Sequence, residues 1–176
     1  MSAALRRLAV AAFALFLAAV LLHTQLADAL VVRGDDFLIQ NRYESAGVRY
    51  LRALWFDSGS RSAADRYMFV ALERRAPREL RAAIAVADSY LLRQPRDSVI
   101  LLDRALCYLI LRKYRFALLD FERSAGITRD PQTLVFAGWA AKRAGRRSEA
   151  IGLWLAAVRS RPGYFPAQAA LAESGR

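Results

Sequence analysis

At 176 residues the chain has room for one domain and a targeting segment, and its 56% apolar content, rich in Ala and Leu, suits an all-helical protein. It carries 27 Lys and Arg against 16 Asp and Glu, a net charge of +11, nearly all from arginine since Lys113 and Lys142 are the only lysines. One cysteine (Cys107) and one histidine (His23) exclude internal disulfides, Cys/His metal clusters and His-dependent triads.

The N-terminus reads MSAALRRLAVAAFALFLAAVLLHTQLADAL. Arg6 and Arg7 precede an unbroken apolar run from Leu8 to Leu22, the pattern of an export or membrane-insertion segment. As a helix that run spans about 22 Å, short of the roughly 30 Å of a bilayer's hydrocarbon core. Two readings follow for residues 1–26. One is a cleaved signal, with Ala27-Asp28-Ala29 as the cleavage site and a secreted or periplasmic product. The other, which we prefer, is a retained single-pass anchor, lengthened by Leu26, Leu30, Val31 and Val32 while the two arginines reach the headgroups. A short tail followed by Arg-Arg favours a cytoplasmic N-terminus, which places the remainder outside the cytoplasm.

Beyond it, residues 27–174 divide into segments of nearly one length: 27–60, 64–97, 98–130 and 131–164, then a terminal stretch 165–174. The last full segment is the clearest. Asp130 and Pro131 open one helix, Gly145 ends it in the left-handed conformation, and a second helix runs from about Ser148 to Pro162 and Gly163. Gly138, Ala150, Trp154, Ala157 and Pro162 form an ordered series of small and bulky positions. Residues 98–130 repeat it with Ala105, Tyr108, Ala117, Phe121 and Ser124. Residues 27–60 repeat it with Gly34, Phe37, Tyr43, Ala46, Tyr50 and Ala53. The stretch 64–97 fits worst: Ala71, Ala83 and Pro95 match, Arg74 replaces an aromatic, and Pro77 is expected to shorten the first helix. This series resembles the tetratricopeptide repeat, a helix–turn–helix unit that buries its face only by stacking on neighbours.

The resemblance implies an all-α fold, a right-handed α-α superhelix (solenoid) of about four repeats with a terminal helix, preceded by one hydrophobic helix. It also implies a concave face lined by the first helix of each pair, where a partner peptide or helix lies. Carried over residue by residue, the partner-binding positions are Leu38, Met68, Leu72, Leu102, Leu106, Val135, Trp139, Lys142 and Arg143, with Val31, Asp35 and Leu109 beside them. Members that clamp an acidic C-terminus use Lys, Asn and Arg there. Here the positions are mostly aliphatic or aromatic, so the groove is expected to be apolar with a basic end near Lys142, Arg143, Arg146 and Arg147. Trp139 stands out, since large aromatics dominate interface energetics. Trp154, Phe121 and Cys107 read as core.

No constellation of residues speaks for catalysis. Asp35 and Asp36, being adjacent, point about 100° apart on a helix and do not converge. Nothing calls for a cofactor or metal. The function expected is therefore non-catalytic protein binding, membrane-tethered or exported, as a scaffold in an envelope assembly. The alternative is binding of nucleic acid or another anionic surface through the positive charge, at about 1 kcal/mol for each basic group close to acidic lipid. Against nucleic acid, the aromatics show no one-base-per-repeat placement.

Overall fold

A computed structural model describes the backbone of residues 3–174 and the side chains of residues 6–174. Every regular element among the described residues is an α-helix. They are α1 (Ala3–Ile39), α2 (Tyr43–Phe56), α3 (Arg61–Arg74), α4 (Pro77–Leu91), α5 (Ser98–Ile110), α6 (Tyr114–Thr128), α7 (Pro131–Arg143), α8 (Arg147–Ser160) and α9 (Phe165–Ser174). The chain divides into two compact units, Met1–Arg66 and Tyr67–Arg176, and α3 runs across the division.

In the first unit α1 and α2 form a helical hairpin. The hydrophobic helix expected ahead of the repeats is present and runs without a break into the first of them, so that α1 is continuous for 37 residues. Its character changes at residue 24. Residues 6–23 are exposed on every side, whereas Ala27, Val31 and Gly34 are buried at the four- and three-residue spacing of one helix face. Gly34 is where α2 comes nearest, because a β-carbon there would strike the ring of Tyr50. That ring is fully buried, and its hydroxyl donates to Asp35 Oδ1 at 2.7 Å. Arg66 approaches the same carboxylate at 3.2 Å, so Asp35 is committed to structure rather than to a ligand.

The second unit packs each helix from α4 to α9 against the next, and α7 also touches α9. Its core is built from Ala105, Ala117, Leu118, Phe121, Ala137, Ala141, Ala150, Trp154 and Ala157, all essentially closed to solvent. Alanine permits close helix approach, and Phe121 and Trp154 fill the intervening space. Gly138 lies against Trp154 as Gly34 lies against Tyr50, with no room for a β-carbon. The indole N–H donates to the Val135 carbonyl at 3.2 Å, which locks the ring in place. Ala167 and Ala170 seat α9 on this core, and Arg147 donates to the Ser174 carbonyl.

Helix ends follow their local chemistry. Asp97 accepts from the Val99 and Ile100 amides, and Asp130 from the Thr133 amide, so both act as N-caps. Pro77 does not shorten α3, which has 14 residues. It opens α4 as a first-turn proline, where its missing N–H costs no intrahelical hydrogen bond. Among the described residues four other than glycine adopt positive φ, namely Asn41, Arg75, Arg112 and Arg129, as do Gly145 and Gly163. Asn41, Arg75, Arg112 and Gly145 occupy equivalent turns, each joining the two helices of a pair.

A largely buried ion pair also crosses between helices. Asp120 is 2% exposed, and Arg104 reaches it through Nε at 2.7 Å and a second nitrogen at 2.8 Å, while also pairing with Asp88 at 2.5 Å. Burial is the largest influence on Arg104 and lowers its proton affinity. The hydrogen bonds and charges of Asp120, then Asp88, outweigh it and raise the pKa. This ties α4, α5 and α6 together.

Candidate functional site: a basic aromatic cleft at the α5–α6 turn

The cleft begins where α5 ends. The Leu111 amide still donates to the Cys107 carbonyl, but Arg112 turns left-handed and the Lys113 amide reaches back to Tyr108. This compact turn sets Leu109, Ile110, Arg112 and Tyr114 on one side. From α7, Trp139 and Arg143, one helical turn apart, supply the other. The hollow between them measures about 300 Å³.

Trp139 is half-buried, its ring meeting Trp154 edge-on at 5.2 Å between centroids. The Lys142 ammonium lies 5.0 Å from the Trp139 ring and 5.9 Å from that of Trp154, within cation–π range. A second hollow of about 320 Å³ adjoins through Arg112 and Tyr114 and adds Lys113, Arg115 and Phe116. Among the described residues Arg112, Lys113, Arg115, Lys142 and Arg143 make no ion pair. Arg112, Lys113, Arg115 and Arg143 thus line a pair of hollows with aromatic walls, and Lys142 lies against the Trp139 ring. Arginine forks of this kind grip carboxylates through paired N–H donors, while the rings offer stacking area.

The candidate positions are not brought together as one stripe. Trp139 and Arg143 share the cleft with Leu109, and Lys142 braces it. Met68 is completely buried and Val135 is 6% exposed. Neither side chain presents a surface, and the Val135 carbonyl serves the Trp154 indole. Leu102 and Leu106, two of the partner-binding candidates, are half-buried against the core. Leu72 is half-buried, and Leu38 is a half-buried residue of the first unit. Nor does the basic end extend to Arg146 and Arg147. Arg146 pairs with Glu149 at 2.6 Å and Arg147 is spent on α9, because both stand at the α8 N-terminus where local partners are in reach. Their place is taken by Arg112, which sequence reasoning passed over. Its signal is the alignment of its turn with Gly145, visible once two repeats are set in register.

A larger hollow, about 500 Å³, opens between α6, α7 and α8 over Ala125, Gly126 and Ala156 and carries Glu122, Arg129 and Arg159. It exists because small residues leave space, so no side chain announces it. Burial raises the Glu122 pKa, and the neighbouring Glu149 carboxylate adds to the rise. Cys107, buried beneath the α5 turn, has its thiol pushed up to about 12 by burial and then by the charge of Asp103, which makes it a poor nucleophile at neutral pH.

No family model matches the chain, and no curated protein matches it either. Solved structures do. The chain superposes on MamA with a TM-score of 0.77 at 12% identity, covering 85% of this chain and 81% of that one. On YrrB, whose structure is titled as a TPR protein with an unusual peptide-binding site, the TM-score is 0.70 at 15% identity, covering 82% and 73%. On PilF of Pseudomonas aeruginosa it is 0.68 at 17% identity, covering 86% and 68%. Identities this low carry the fold alone. That fold is the all-helical solenoid of the tetratricopeptide-repeat proteins.

Proposed function

We propose that the chain is a non-catalytic protein-binding module held in a membrane by the apolar part of α1, receiving a peptide or helix of an envelope partner in the Trp139 cleft. The observation that carries the binding reading is the cleft itself: an accessible tryptophan with Arg112 and Arg143 at its rim and, among the described residues, no carboxylate engaging them. Such a surface suits an acidic segment bearing an apolar or aromatic side chain, rather than the purely apolar segment expected from the aliphatic positions. A fold of this kind being a peptide receptor in YrrB agrees with the proposal.

Tethering is supported by exposure. Leu8, Phe13, Leu15 and Phe16 are each more than 60% exposed, a concentration of apolar surface that water does not tolerate on a free monomer. Retention, rather than cleavage after Ala29, is supported by the buried Ala27 and by the contact of His23 with Phe56. Both would be lost from a processed chain. We place the repeats outside the cytoplasm on the Arg6-Arg7 argument.

The test is site-specific photocrosslinking in intact cells from position 110, on the wall of the cleft facing Trp139, with capture compared in Trp139→Ala and Arg143→Glu chains. Both substitutions should reduce capture at least roughly 30-fold, the loss of a hot-spot contact of about 2 kcal/mol, with the helical circular dichroism spectrum retained. Capture unchanged by both variants would remove the cleft from the reading. The same free cations favour a second reading, a polyanion such as nucleic acid. That would reveal itself as binding whose affinity falls steeply with salt.

A further inference from the structure

The tip of α2 carries a feature that neither the core nor the cleft uses. Trp55 is 79% exposed, the most exposed tryptophan of the chain. It is not disordered chemistry at a loop end, because its ring meets Phe56 edge-on at 4.8 Å, and Phe56 in turn meets His23 edge-on at 5.8 Å. His23 is the residue at which the exposed apolar run of α1 stops, followed by Thr24 and Gln25. Thr24 turns its hydroxyl back to the Leu21 carbonyl, and with Gln25 it interrupts the unbroken apolar run, although Leu26 and Val32 remain exposed beyond it.

We propose that Trp55 is a second membrane contact, lying in the headgroup zone beside the foot of the α1 span and setting the depth of the first unit against the bilayer. This rests on the reading of α1 as a membrane tether. Three observations carry it. The aromatic chain Trp55–Phe56–His23 fixes the last turn of α2 at the level where the apolar run ends. Indole is amphipathic and favours the boundary between headgroups and acyl chains. Arg52, one turn earlier on α2, is exposed and free to reach lipid phosphate as its stem lies along the interface. The antiparallel course of α2 means that only its end takes part. Val48, two turns back, lies about 10 Å farther from the bilayer.

The experiment uses the full chain in vesicles of phosphatidylcholine and phosphatidylglycerol, with lipids brominated either near the headgroup or near the chain ends. Tryptophan emission is compared between the natural chain and Trp55→Phe, which keeps a ring against Phe56. Quenching by shallow bromine should be present in the first and mostly lost in the second. In the Trp55→Phe chain, a further Phe13→Trp substitution reports on α1 and should be quenched by deep bromine. Deep quenching at position 13 without any Trp55-dependent quenching overturns the proposal while the tether stands. Absence of quenching at both overturns the tether and this proposal with it. Trp55-dependent quenching by deep bromine alone overturns the assigned depth. Crosslinking of position 55 to a second copy, without quenching, gives that surface to self-association instead.

Discussion

Gly138 and Trp154 are sixteen residues apart, as are Gly34 and Tyr50, and in each pair the ring occupies the volume that a β-carbon would need. Neither ring can retreat, since Trp154 is tied to the Val135 carbonyl and Tyr50 to Asp35. Gly138→Ala should therefore destabilise the chain by about 1–3 kcal/mol despite alanine's better helix propensity. Gly152, also helical but with nothing within 4 Å of its would-be β-carbon, should gain about 0.5–1 kcal/mol from the same change. Urea midpoints of the two variants, moving in opposite directions, check this. Cys107 offers a pH prediction. Its folded pKa lies above its ordinary value of 9.0, at about 12, so the folded chain holds the proton more tightly than the unfolded one. The resulting stability is complete below pH 9.0 and is lost as pH rises through about 12. Tyr67 and Tyr108 are raised in the same direction, chiefly by burial, so Cys107→Ala should flatten the alkaline fall in unfolding midpoint only in part.

At the scale of elements, the turns inside the helix pairs recur while their residues do not. Gly145 takes the left-handed conformation without penalty, but Arg75 and Arg112 adopt it with a β-carbon in place. Arg75→Gly should raise stability by up to about 1 kcal/mol, the relief of left-handed strain less the added flexibility of the unfolded chain, read as a higher thermal midpoint. Helix pairing was legible from Gly138, Trp154, Gly34 and Tyr50 because a volume match across two helices leaves its mark in side-chain size. Two things were not. The second pair places alanine at both Ala71 and Ala87 and moves its ring one turn on, to the buried Tyr90, which hid the register. The basic cleft was only half visible, since Trp139 and Arg143 show in α7 whereas Arg112 and Tyr114 reach it through a turn whose backbone no residue type declares. Asp120 likewise reads as one more surface carboxylate until Arg104 is seen closing over it.

For the whole molecule, retention or removal of residues 1–29 decides between the anchored and the processed form. The anchored form should show an intact N-terminal mass and stay with membranes through alkaline carbonate extraction. A mass beginning at Leu30 with release into the soluble fraction would establish the processed form instead. Continuity of α1 gives that choice a mechanical side. The helix contains no proline, runs about 55 Å, and leads from exposed apolar surface to the buried seat of α2 without a joint. A flexible tether lets a receptor tumble and search, whereas a stiff rod transmits torque. In the anchored form proposed above, any pull on α2 would accordingly tilt or spin α1 as a whole, with no hinge between the two to absorb it.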